Sequence, residues 1–433
     1  MLITNARLLD REGLVDISIR DGVIEAIAAA GNLARGQAQT FDAEGGLALP
    51  PFVEPHCHLD YAMTAGEPRW NASGTLFEAI DIWAERKRDL DHADVKRRAR
   101  QALEWQIAQG IQYVRTHVDI GDPELRSLSA LLELRAEMAE WVELQIVAFP
   151  QDGIFTHPNG LVQLEEALKR GADGVGAIPH VEFTREDATA SIAAAFDLAQ
   201  KYDKFIDIHC DEIDDDQSRG LEVVAAQAYR RGLGPRTTAS HTCALGSYNG
   251  AYASKLIGLL RKARINFVAN PFVNTHLQGR EDGYPVRRGL TRVRELRNAG
   301  LAVAFGHDNL ADPFYPLLHT NVLQIVQMGI HVTHLTGHDD IIQSLDFVTT
   351  QGARVLGLGE RYALAEGHPA SFNVLPATSV VDALTRMVPV RFGFRAGRLI
   401  VRTEPATTSI WLEEEREIDF SRPAPPDFPR PRQ

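Results

Sequence analysis

Five side chains able to hold a metal ion follow short apolar runs in this 433-residue chain: His56, His58, His209, His241 and Asp308. In PPFVEPHCH, His56 and His58 stand two residues apart, and in a strand such residues point to the same side. The pair alone is weak, because 15 histidines in a chain of this length give about half of one such pair by chance. The other members come from separate runs. IDIHCDE supplies His209 with Glu212 three residues on, ASHT supplies His241, and FGHD supplies Asp308. A single histidine at the end of a strand is more often structural than catalytic. Imidazoles and a carboxylate gathered from four run ends suit Zn²⁺ or Fe²⁺ and leave room for a water. A divalent ion there would make such a water acidic enough to act as a nucleophile near neutral pH.

The elements that must position these groups form a rhythm. Eight strand-like runs recur: PPFVEPHCH, IQYVRTHVD, ELQIVAFPQ, GVGAIPHVE, KFIDIHCDE, TTASHTC, INFVANPFV and LAVAFGHDN. Amphipathic, helix-prone segments separate them, such as Thr75–Lys87, Pro123–Glu137, Arg185–Lys201 and Ser247–Lys262. Buried parallel strands alternating with helices predict an α/β fold, a (β/α)₈ TIM-like barrel over residues 51–369. The doubly wound sheet is the alternative, and the absence of a glycine-rich loop after the first strand weakens it. The candidate ligands then fall at the C-terminal ends of strands one, five, six and eight, where barrel enzymes carry their chemistry.

Both termini read differently. Val15, Ile17 and Ile19 alternate with polar residues before an Asp21-Gly22 turn signal, and SFNVLP, PVRFGF, GRLIV and TSIWLE return to that texture. Residues 1–50 and 370–433 are therefore expected to build one small β-sandwich. The Pro-rich end, RPAPPDFPRPRQ, is expected to lie extended on the surface.

The bulk numbers exclude several classes. A net charge of −13 argues against a nucleic-acid partner. Three cysteines without a CxxC pattern make neither a disulfide framework nor a zinc ribbon. No run approaches the length of a membrane span and no secretory leader is evident, so a cytoplasmic enzyme acting on a small molecule is expected. Among the remaining chemical side chains, Cys57, Cys210 and His307 alternate away from the ligands. His117 should lie inside the barrel as a supporting or core histidine. Cys243 shares parity with His241 if the strand reaches that far. Asp214–Asp216 reads as a solvated helix start.

The metal pattern resembles the amidohydrolase superfamily. The runs HCHLD, TAGEPRWNASGTLFEAI, VAFPQDG, IDIHCDEIDD, ASHT and FGHD, with NGAYASKL and HLQGR between them, look like the bacterial cytosine deaminase family over nearly the whole chain. That resemblance implies a barrel with a terminal β-sandwich, one divalent metal ion per subunit (Fe²⁺ or Zn²⁺), and a homo-oligomer, a hexamer by the family pattern. It assigns His56, His58, His209 and Asp308 to the metal, with Asp308 also catalytic. Glu212 becomes the acid/base on a ring nitrogen, His241 the group that orients or deprotonates the water, and Gln151 the reader of the substrate's amide edge. The implied reaction is hydrolytic deamination of a free pyrimidine base, cytosine or a C5-substituted cytosine such as 5-methylcytosine.

Alternatives remain on residue grounds. VAFPQDG ends without the lysine that bridges two metals in related hydrolases, which disfavours a cyclic-amide hydrolase. The H-x-E with P-C-x-x-C signature of nucleic-acid and nucleoside deaminases is absent. A non-catalytic scaffold is disfavoured by the presence of Glu212 and His241. Asn309 and Phe314 stand where the cytosine deaminases have a second aspartate and a tryptophan. Isoguanine, creatinine and aminotriazine rings carry the same amidine, so the base itself stays open.

Overall fold

A computed structural model describes residues 1–34, 36, 38–317 and 320–420. The Pro-rich segment expected to be extended lies outside the described residues. The chain divides into two compact units, residues 51–363 and residues 1–50 together with the segment from Leu364 onward.

The larger unit is an eight-stranded parallel sheet: β1 (Phe52–Cys57), β2 (Ile111–Asp119), β3 (Glu143–Phe149), β4 (Gly174–Ala177), β5 (Phe205–Cys210), β6 (Thr237–His241), β7 (Asn266–Ala269) and β8 (Val303–Phe305), neighbours in that order. It closes where the chemistry was expected. The Asp308 amide donates to the His56 carbonyl at 2.8 Å, and the His58 amide donates to the Asp308 carbonyl at 2.9 Å. All eight runs contain a strand, and most of their residues are buried because helices cover the outer face.

The helices start where polar side chains can accept their first free amides. The Thr75 hydroxyl caps Leu76–Arg86, Thr184 caps Arg185–Tyr202, and Asn249 caps Gly250–Ala263. Several boundaries differ from the sequence reading: the helix expected from Pro123 begins at Arg126, and the one expected from Ser247 begins at Gly250. Residues 271–273, placed in the seventh strand run, begin the helix Pro271–Leu277, because proline suits a first helical position. β6 ends at His241, so Cys243 does not share its parity but opens the short helix Cys243–Ser247. Asp214–Asp216 is not a helix start. It lies in a loop, since the next helix begins only at Gly220.

The smaller unit has two four-stranded sheets. One orders Val23–Ala29, Val15–Arg20, Leu2–Ala6 and Thr40–Asp42, and the other Arg398–Arg402, Phe392–Arg395, Phe372–Leu375 and Leu47–Leu49. Their alternating apolar faces share one core that includes Ile3, Ile17, Phe41, Phe372, Val374 and Phe394. Asp21 and Gly22 turn the first hairpin with φ of 51° and 80°, the left-handed pair that a two-residue turn requires. Leu364 already packs on this core, so the unit begins six residues before the expected position 370.

Candidate active site

Residues at the ends of β1, β5, β6 and β8 converge at the C-terminal mouth of the barrel. Nε2 of His56 and Nε2 of His58 lie 3.3 and 3.4 Å from Asp308 Oδ1. His58 Nε2 is 3.1 Å from His209 Nε2, and His241 Nδ1 is 3.8 Å from Asp308 Oδ2. Two ligands at ordinary Zn–N distances on a tetrahedral ion stand about 3.3 Å apart, so these spacings fit donors around one cation. Every member is buried, and Nε2 of His56, Nδ1 of His58, Nδ1 of His209 and Nε2 of His241 make no hydrogen bond. Buried imidazole nitrogens without partners are costly unless something else occupies their lone pairs. The described residues contain two metal-capable groupings, His56 with His209, His241 and Asp308, and His56 with His58 and His117. Three of the four expected ligands, His56, His209 and Asp308, share the first grouping with His241, and His58 joins them through its Nε2, 3.1 Å from His209 Nε2 and 3.4 Å from Asp308 Oδ1.

The backbone turns sharply to aim these groups. Asp211, His241, Thr242 and Asp308 have φ of 49°, 66°, 46° and 66°. Non-glycine residues in the left-handed region cost on the order of 1–3 kcal/mol each, and such residues cluster where function over-determines the chain.

Two carboxyl groups face the cluster in opposite states. Glu212 Oε1 lies 3.2 Å from His241 Nδ1. Burial, reinforced by the Asp308 charge, pushes the Glu212 carboxyl well above the usual range, so it holds its proton. Burial would raise Asp308 too, but His241, His56 and His58 outweigh it and hold Asp308 well below the usual range. Nδ1 of His241 also lies 2.9 Å from the Asn274 amide nitrogen and 3.4 Å from that of Asn270. Sequence reading did not single out either asparagine. Their one signal is a polar residue inside the apolar run INFVANPFVN.

The cavity above this floor is lined by His58, Tyr61, Leu76, Phe149, Gln151, Ile178, His209, Glu212, Leu277, Asp308, Asn309 and Phe314. The Tyr61 ring stacks between His58, at 4.7 Å and 6°, and Phe314, at 5.6 Å and 15°. The Tyr61 hydroxyl donates to Gln151 Oε1 at 2.7 Å, which leaves the Gln151 NH₂ as the free donor of that amide. Asn309 Nδ2 donates to Asp312 Oδ2 at 2.9 Å. Burial raises the Asp312 carboxyl to about 6 even though Asn309 and the amides of Tyr315 and Phe314 donate to it. Asn309 and Phe314 thus border the cavity as expected, but Asp312 holds Asn309 in place.

The bystanders behave as their parity suggests. Burial of Cys57 and Cys210 pushes both thiols well up, which leaves them unreactive. His307 Nδ1 turns to the Glu54 carboxylate, which also accepts the His56 and His307 amides. Glu54 thereby ties β1 to the start of the β8 loop, a role the sequence did not reveal. His117 is fully buried, its ring 4.0 Å from that of His56, and burial first, then the His56 charge, lower it to about 3.

The sequence profile of the amidohydrolase family matches residues 39–401. Pterin deaminase from Rhizobium rhizogenes is 30% identical over 91% of this chain and 90% of its own. The crystal structure of 5-methylcytosine deaminase from Klebsiella pneumoniae liganded with 5-fluorocytosine is 48% identical, with a TM-score of 0.91 over 94% of this chain and 98% of that one. N-isopropylammelide isopropylaminohydrolase from Burkholderia multivorans is 25% identical, with a TM-score of 0.80 over 93% of this chain and 98% of that one.

Proposed function

The chain belongs to the amidohydrolase family, and from that premise we propose that it deaminates a free pyrimidine base, cytosine or a C5-substituted cytosine such as 5-methylcytosine. The products are uracil or thymine and ammonia. One observation carries the reading: Glu212 faces the same cavity as His58, His209 and Asp308, with its Oε1 3.2 Å from His241 Nδ1, so a carboxyl group stands beside the candidate metal cluster where proton transfer is needed. Similarity at 48% to a 5-methylcytosine deaminase supports the choice of ring.

His56, His58, His209 and Asp308 would hold one divalent ion, iron or zinc. Bound there, the ion supplies an activated water and Lewis-acid polarisation at the amidine carbon. Glu212 gives its proton to the ring nitrogen next to that carbon, so the carbon can become tetrahedral without leaving negative charge on the ring. Asp308 and His241 take one proton from the water and pass it to the exocyclic nitrogen, which departs as ammonia, and the water's second proton returns to Glu212 as the new carbonyl forms. Gln151 donates its NH₂ to the ring carbonyl, while Tyr61 and Phe314 present aromatic surface at the cavity wall.

The test is ammonia release from a panel of rings by the metal-loaded protein. Highest kcat/KM is expected on 5-methylcytosine and cytosine. Preference for isoguanine, creatinine, an aminotriazine or a pterin would replace the pyrimidine reading, and the pterin arm is included because of the 30% identical pterin deaminase.

A further inference from the structure

Behind the metal-facing side of His56 lies a chain of polar groups that the reaction itself does not use. Arg115 Nη1, on β2, donates to Asp207 Oδ2, on β5, at 2.9 Å. The Ser240 hydroxyl, on β6, donates to the other oxygen of Asp207 at 2.7 Å, and Ser240 Oγ stands 3.0 Å from His56 Nδ1. Arg115 is held in turn by Gln145 Oε1, at 3.0 and 2.9 Å, and by the Val355 carbonyl at 3.1 Å. Arg115, Asp207, Ser240 and His56 are each at most 2% exposed, so water cannot substitute for any link.

The hydrogen bonds set the order of protons along this chain, with His117 Nε2 also 3.4 Å from the Asp207 oxygen that Ser240 faces. A carboxylate accepts only, and an arginine beside it keeps it a carboxylate. The single hydroxyl proton of Ser240 is therefore spent on Asp207. Toward His56 the serine oxygen can only accept, so the proton of the neutral imidazole must sit on Nδ1. The Nε2 lone pair is then left facing Asp308 Oδ1, 3.3 Å away.

We infer that Ser240 and Asp207 are positioning residues that fix the tautomer and ring angle of His56, with Arg115 as the cation that sets the direction of the relay. The inference rests on His56 being a metal ligand, as in the function proposed above. Partners behind ligating histidines commonly change metal affinity by about 10- to 100-fold.

Zn²⁺ affinity of the purified full-length protein, measured by competition with a chromogenic chelator at one pH, tests this directly. Ser240→Ala is expected to bind Zn²⁺ about 10- to 100-fold more weakly than the parent, while Ser240→Thr, which keeps the hydroxyl, stays within about threefold. If the alanine variant does not fold, Ser240→Thr and Ser240→Val, nearly equal in shape and differing in the hydroxyl, give the same comparison. A merely structural serine would lower the melting temperature in the hydroxyl-free variant and leave Zn²⁺ affinity unchanged. That result overturns the inference, as does equal weakening with and without the hydroxyl. A parent protein that binds no Zn²⁺ overturns the reading of His56 as a ligand, and this inference with it.

Discussion

The floor of the cavity and its wall are built by different means. The floor, His56, His58, His209, His241 and Asp308, sits on or directly after strands whose register the barrel hydrogen bonds fix. Within the wall, Tyr61, Gln151, Asn309 and Phe314 stand on the loops that follow β1, β3 and β8, and they are held by one another and by Asp312. Strand register determines where a metal could sit, whereas side-chain contacts between loops determine which ring fits above it. Substitutions in the floor should therefore abolish chemistry, and substitutions in the wall should redistribute it among substrates.

The sharpest way to break this contrast is His209→Ala. Elemental analysis of the parent should find about one iron or zinc per chain. The variant should lose most of it and fall to background activity with the barrel intact by circular dichroism. Two ions per active chain would overturn the single-metal proposal.

Glu212→Gln comes next. The glutamine keeps the shape but cannot deliver a proton. Metal content should hold while kcat falls by about 10²- to 10⁴-fold, or about 3–5 kcal/mol of barrier. A variant within tenfold of the parent would remove Glu212 from the proton path.

The two regions also differ in how far the sequence disclosed them. His56 and His58 could be placed because strand alternation is strict, and each later ligand closed a recognisable apolar run. The helices Leu76–Arg86 and Arg185–Tyr202 were legible from amphipathic periodicity, whereas the segment read as Ser247–Lys262 ran together the end of one helix and the start of the next, which Asn249 caps. Tyr61 could not be placed, since its partner Gln151 is ninety residues away in sequence and nothing local links them. Asn274 was equally hidden. It reaches His241 only because Pro271 opens a helix where an apolar run suggested strand. The 214–216 loop failed for the converse reason. Its acidic residues suggested a helix start, but its amides are satisfied without one, Gln217 donating to Asp215 Oδ1.

Asn309→Asp tests the wall. In the parent the asparagine N–H is committed to Asp312, so the cavity edge carries no charge from position 309. An aspartate there would add a carboxylate and its hydration. The ratio of kcat/KM for 5-methylcytosine to that for cytosine should then fall by about 10- to 200-fold, the range a buried methyl group can command. An unchanged ratio would separate Asn309 from substrate choice. The variant also has a pH signature. Burial already raises Asp312 from 3.8 to about 6, so the folded protein binds more protons than the unfolded chain in that window and stability falls as pH rises through it. A second buried carboxyl raises the pair further. The melting temperature of Asn309→Asp should therefore fall more steeply than the parent's between about pH 4 and pH 7.

The smallest expected effect comes from Tyr61→Phe, and it asks whether the wall works as a unit. Tyr61 stacks on both His58 and Phe314 through its ring, and phenylalanine preserves those contacts. What is lost is one proton donated to Gln151 Oε1. That bond leaves the amide only one orientation, with its NH₂ available to the cavity. Without it, Gln151 can rotate and, in the proposed binding mode, present its oxygen to the ring carbonyl, an unfavourable pairing of two acceptors. A buried hydrogen-bond partner removed from one side costs about 1–3 kcal/mol. Because the orientation serves binding more than bond making, the cost should appear mainly in KM, raised roughly tenfold, with kcat within about threefold. A fall in kcat with KM unchanged would show that the carbonyl contact strengthens in the transition state, and would move Tyr61 and Gln151 from substrate recognition into the catalytic machinery of the floor.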